Sequence, residues 1–160
     1  MDCQSDWGGT CSVEYIPGHA PRGAVVQAET DSHLTIVDQE SLVEYDLWGV
    51  DTSPLGNGGV IVLQWGGHTY ANSGDGRAWG TYGEGNAARV GNLAGRIRIE
   101  ELSEAVASMS YINHALAVAV ACTNGQGVYP AFAGNVDGAC SARGISDANA
   151  PPLGPVFSSI

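Results

Sequence analysis

The segment GRIRIEELSEAVASMSYINHALAVAVACTNGQGVYP, Gly95 to Pro130, decides the fold class. From Arg98 to Val106 the apolar side chains Ile99, Leu102, Ala105 and Val106 return every three or four residues, the stripe of a short amphipathic helix. The spacing predicts one helix near Ile97 to Ala107, with Glu100, Glu101 and Glu104 on its outer face and first turns. Carboxylates there complement the positive end of the helix dipole, which accounts for the acidic set without any catalysis.

Beyond Ser108 the period changes to two. Ile112, His114, Leu116, Val118, Val120 and Cys122 alternate with small residues, which predicts a core strand carrying a histidine in its inward row. An inward imidazole either hydrogen-bonds a neighbouring loop or forms the floor of a pocket. His114 is therefore the first candidate for chemistry, while Asn113 faces the other way and suits a turn.

Working outward, 160 residues suffice for one domain with a proper core. The expected organisation is an irregular arm over residues 1–23 and a β-sandwich over 24–160. Charged residues make up only 14% of the chain and glycines number 23, so the surface relies on small polar residues, as in a loop-rich all-β protein. Strands are expected at Ala24 to Glu29, His33 to Val37, Leu42 to Trp48 and Gly59 to Trp65, with turns at Thr30 to Ser32 and Asp38 to Ser41.

The net charge of -11 arises with six arginines and no lysine. A uniformly acidic surface repels nucleic acid and anionic membrane, so neither is an expected partner. Absence of lysine also excludes side-chain Schiff-base chemistry. Arg77, Arg89, Arg96 and Arg98 fall within one segment, where they either pair with nearby acids or receive an anionic group of a ligand.

Four cysteines, Cys3, Cys11, Cys122 and Cys140, lack the CxxC spacing of zinc and redox sites. Local spacing favours Cys3 with Cys11 and Cys122 with Cys140, although four cysteines permit three pairings. Disulfides persist outside the cytosol, which predicts an extracellular protein. Met1 is followed at once by polar residues, so the chain is read as a mature secreted one, and no apolar run approaches a membrane span.

Candidate binding residues cluster in the glycine-punctuated stretch from Gly66 to Asn86. Trp48, Trp65, Trp79 and Tyr82 offer flat apolar faces to sugar rings, with His68, Asn72 and Arg77 as polar contacts. In Asp31-Ser32-His33, strand alternation would place Asp31 and His33 on one side and let the carboxylate orient the imidazole. A turn acid followed by an edge histidine explains the same triplet. Asp31, Asp38, Asp46 and Asp51 offer oxygen donors for calcium, though without an EF-hand-like loop.

An ordered series of segments carries a resemblance: TDSHLTIVDQESLVEYDLW, then WGG followed by Asn72-Ser73, then GRIRIEEL, INHAL and YPA. Over Ala28 to Ala131 the chain resembles a family of mostly uncharacterised secreted bacterial proteins of actinomycete type. The resemblance implies a secreted β-sandwich, of the jelly-roll kind found in carbohydrate-active proteins, and brings no established reaction. Ser108 to Tyr111 replaces the glycine turn usual before the histidine strand, and the chain ends sooner than such relatives do. A sheet edge left open at that end would be completed by another chain, in a homo-oligomer or otherwise.

The leading expectation is an extracellular glycan-active enzyme, a polysaccharide lyase or a glycosidase. His33 or His114 would be the general base with Asp31 orienting it; a hydrolase would instead use two carboxylates, Asp31 with Glu101. The alternative is a non-catalytic carbohydrate-binding, adhesive or self-assembling module, since jelly rolls serve those roles equally. Histidines converging on one open cleft would favour catalysis, and scattered or buried ones the module.

Overall fold

The alternation in LTIVD and VEYDLW produces a β-hairpin. β2 (Leu34–Asp38) pairs antiparallel with β3 (Val43–Trp48), Leu34 opposite Leu47 and Asp38 opposite Val43. Asp38 closes the turn by accepting the amides of Glu40 at 2.9 Å and Ser41 at 3.2 Å. The Ser41 hydroxyl and these amides hold its carboxyl below the usual range. Leu42 completes the reversal with a left-handed φ of 56°. The computed structural model describes residues 1–4, 11–17, 19–21, 23–28, 30–51, 53, 59–70, 86, 88–114, 116–118, 120–128, 131 and 139–153.

The far side of β3 pairs antiparallel with β5 (Trp65–Tyr70), giving a three-stranded sheet in the order β2-β3-β5. The strand expected over Gly59 to Trp65 is divided at Gln64. Its first half, β4 (Val62–Leu63), pairs in parallel with β1 (Asp2–Cys3), and its second half continues through Gly66 and Gly67 as β5. Gly49 makes this crossing possible: its φ is 63°, and a Cβ there would stand 2.8 Å from the Gln64 side chain.

Strand parity gives the sheet two dissimilar faces. On the first, Leu34, Ile36, Val43, Tyr45 and Leu47 are buried and join Cys11, Val13, Val26, Val50, Ile61 and Leu63 in one apolar cluster. Cys11 and Val13 of the expected arm are thus core residues, with Met1, Cys3, Ile16 and Ala20 packed against the cluster. On the second face Glu44, Asp46 and Thr69 are buried, beside Thr35, Trp48 and Trp65.

The chain divides into two compact units, Met1–Gly91 and Asn92–Ile160. The second opens with a 3-10 turn, Asn92–Gly95, and the helix α1 (Ile99–Ser108), close to the span that the apolar spacing predicts. Glu101 caps α1 by accepting the Arg98 amide at 3.0 Å. Met109 ends it at φ 51°, taking the left-handed position a glycine usually fills, and its amide bonds the carbonyls of Ala105 and Val106.

Two expectations fail. Residues 24–28 form no strand, although Val26 is buried in the core and the Gln27 amide bonds the His33 carbonyl. The described residues between Ile112 and Cys122 form no strand either, and Leu116, Val118 and Val120 are 48%, 78% and 50% exposed. Alternation predicts a strand only where a ladder and an apolar layer receive it; here the Ala117 amide bonds Gly95 and the apolar row stays in solvent. The stripe of α1 is likewise exposed, Ile99 at 69% and Val106 at 71%.

The disulfides are the local ones, Cys3–Cys11 and Cys122–Cys140. The second lies beside the bridge that pairs Thr123 with Ala139. The described chain is therefore β-leaning with one short α-helix, and no helix among the described residues is long and apolar enough to cross a membrane.

Candidate active site

The turn after α1 brings the histidine of INHAL back over the helix. Because Met109 reverses the chain, residues 110–114 run alongside the helix face that carries Glu101, Glu104 and Ser108, enclosing an open cleft of about 580 Å³. His114 Nε2 stands 3.3 Å from Glu101 Oε2, and Arg98 donates from its guanidinium to Glu101 Oε1 at 2.7 Å. His114 and Glu101 are each about one quarter exposed, 28% and 24%, so both reach solvent through the cleft.

The electrostatics give each group a distinct role. The Arg98 guanidinium, then the Arg98 amide and to a smaller extent His114, hold the Glu101 carboxyl down at about 2. Arg98 is in turn pushed up by the same carboxylate. Glu101 is thus anionic at any physiological pH and cannot act as a general acid. It can hold an imidazole by accepting the Nε2 proton and so fix its orientation. Carboxylate, imidazole and guanidinium together form a general-base arrangement with a cation at its edge.

Two sequence candidates, His114 and Glu101, therefore come together. Glu101 is the carboxylate hydrogen-bonded to His114, where the sequence had offered Asp31. Asp31 and His33 lie in the first unit, and among the described residues no hydrogen bond or ion pair joins them. The reason is local: Ser32 takes φ 44° and the strand begins only at Leu34, so alternation does not apply across the triplet. Asp31 instead accepts the Gly49 amide through its backbone carbonyl.

Trp48 and Trp65 are direct cross-strand partners at the end of the second face, both half-buried. His68 belongs to the opposite, apolar face. Its ring lies 6.4 Å from Tyr45 and 5.8 Å from Tyr70, burial pushes its pKa down, and its buried Nδ1 has no hydrogen-bond partner. Asn72, Arg77, Trp79 and Tyr82 lie outside the described residues. Of the four aspartates considered for calcium, Asp38 serves its turn, Asp51 accepts the Ser53 amide, Asp31 is exposed and Asp46 is buried in the sheet. Among the described residues no group of three or more His, Cys, Asp or Glu side chains comes together as a metal-binding set.

Sequence reasoning missed Tyr111 and Ser110 of the cleft, since neither belongs to a periodic run. It also missed the buried acid Glu44 and, although it offered Asp46 as a calcium ligand, did not pair the two, whose signal was their spacing: two residues apart on a strand, they share a face. No protein-family model, curated protein or solved structure matches the chain.

Proposed function

We propose that the protein is an extracellular glycan-active enzyme of the lyase kind, with His114 as general base in the cleft beside α1. The observation that carries this reading is the His114–Glu101 hydrogen bond, with Arg98 on the same carboxylate. In the proposed step His114 takes the proton next to a uronate carboxylate. The electron pair left behind forms a carbon–carbon double bond as the glycosidic oxygen departs and is protonated from water. Arg98, with its side chain 73% exposed, has further N–H groups to offer the uronate, and the exposed ring of Tyr111 offers a face to a sugar.

A glycosidase with Glu101 as the acid is disfavoured, because that role needs a carboxyl with a raised pKa, whereas Arg98 lowers this one. The three-stranded sheet is read as one layer of a β-sandwich of jelly-roll type. The two disulfides suit secretion into an oxidising environment.

A second reading has its own support. His68 lies against Tyr45 and Tyr70 on the apolar face of the sheet, and Ile99, Val106 and Met109 are largely exposed. A histidine held in the sheet and exposed apolar residues on the helix fit a non-catalytic carbohydrate-binding, adhesive or self-assembling module.

Incubation with a set of neutral and uronate-containing polysaccharides separates the two. Unsaturated products, detected by ultraviolet absorbance and mass, are expected from the wild type. His114→Ala should lower turnover by about 10²–10⁴-fold, the usual contribution of a positioned base. Full activity in that variant refutes the assigned base, and glycan binding without turnover by the wild type selects the module.

A further inference from the structure

The second face of the three-stranded sheet holds an arrangement that the cleft does not use. Glu44 and Asp46, two residues apart on the central strand, share one row, so their backbone positions are about 6.7 Å apart. They are 5% and 0% exposed. Thr35 stands directly across from Asp46 and donates its hydroxyl to Oδ1 at 2.8 Å. Thr69 stands directly across from Glu44, is 3% exposed, and its Oγ1 makes no hydrogen bond.

A buried threonine hydroxyl facing a carboxylate ordinarily donates to it. Here it does not, which leaves an oxygen with unused lone pairs inside an acidic row. Gly91 keeps the neighbouring carboxylate in its place, since a Cβ there would come within 2.8 Å of Glu44 Oε2. We propose that this row binds a calcium ion through the Glu44 and Asp46 carboxylates, with the Thr69 hydroxyl as a further ligand.

The donor set decides the metal. The row offers carboxylate and hydroxyl oxygens and no imidazole or thiolate, the chemistry of a hard cation. Calcium accepts irregular oxygen shells at about 2.4 Å, whereas magnesium demands a near-octahedral one, so a strand-borne set of this kind suits calcium better. Of the four aspartates that the sequence offered for calcium, only Asp46 takes part.

The test uses the full oxidised chain after treatment with EDTA and removal of the chelator, titrated with calcium chloride and separately with magnesium chloride. Calorimetry reads binding, and the fluorescence of Trp48 and Trp65, next in the same row, reports it at the site. Saturable one-to-one calcium binding with a rise in melting temperature is expected, as for any ligand that binds only the folded state. Thr69→Val should weaken calcium binding by about tenfold or more while leaving the metal-free protein at least as stable, because the lost hydroxyl had no partner.

Thr69→Ser should restore the affinity, and Glu44→Gln should abolish binding. If Glu44→Gln does not fold, the two Thr69 variants decide. Lack of saturable calcium binding by the wild type, binding of magnesium in preference to calcium, or wild-type affinity in Thr69→Val each overturn the proposal. None of these measurements needs a glycan, so the outcome is independent of the proposed lyase activity.

Discussion

Gly66→Ala tests the packing of the first unit most directly. Gly66 lies in β5 opposite Leu47, and a Cβ built there meets Leu63 Cδ1 at 2.8 Å, Leu47 Cδ2 at 3.0 Å and Val13 Cγ2 at 3.0 Å. Ordinary carbon–carbon contacts lie near 3.5–4.0 Å, so the new methyl must displace three side chains by roughly half an ångström or more. All three are fully buried and have no void to enter. Overpacking of this kind costs about 1–3 kcal/mol. In a chain of this size that corresponds to a fall in melting temperature of about 2–10 °C.

Urea denaturation followed by tryptophan fluorescence, at constant slope, measures the cost. Leu63→Val, which removes the nearest contact, should partly rescue the variant, so the double mutant should be more stable than the sum of the single effects by at least about 0.5 kcal/mol. A Gly66→Ala protein within about 0.5 kcal/mol of wild type, or strict additivity with Leu63→Val, would refute the argument.

The half-buried His68 makes folding sensitive to mild acid. Its folded pKa is depressed by burial, so the unfolded chain binds the proton more readily, and stability should decline as pH falls through about 6.5; a pH series of denaturation curves should flatten there in His68→Gln. Glu101 acts at lower pH. Its folded pKa of about 2 lies below the ordinary carboxylate value, so its contribution is present above about 4.5 and is lost as pH falls towards 2; Arg98→Gln should move the Glu101 titration, followed by NMR, upward towards the ordinary value. The Cys122–Cys140 disulfide, spanning 18 positions, should contribute about 3 kcal/mol through the unfolded chain, so that replacing both cysteines with serine lowers the melting temperature by roughly 6–12 °C.

Much of the local structure was legible in the sequence because the information for it is local. The β2–β3 hairpin follows from alternation in LTIVD and VEYDLW, interrupted by a turn that Asp38 can cap with its own carboxylate. The helix follows from Ile99, Leu102 and Val106, and its start from a glutamate placed to reach back to the Arg98 amide. Both disulfides follow from short spacing. In each case residues fewer than about twenty positions apart settle the outcome, and loop closure over such distances is entropically easy.

What lay beyond the sequence depends on distant partners. The apolar alternation after His114 could not reveal that its described residues would join no ladder, and Asp31-Ser32-His33 could not reveal that Ser32 would turn left-handed. The division of VIVLQWGGHTY between two sheets required β1, some sixty residues earlier, to compete for Val62 and Leu63. The partner of His114 was decided by the reversal at Met109, which set the imidazole against Glu101 rather than into a sheet. Burial of Glu44 and Asp46 was likewise a tertiary outcome: parity alone placed them on one face, but only the folded chain determined that these two side chains would be closed to water.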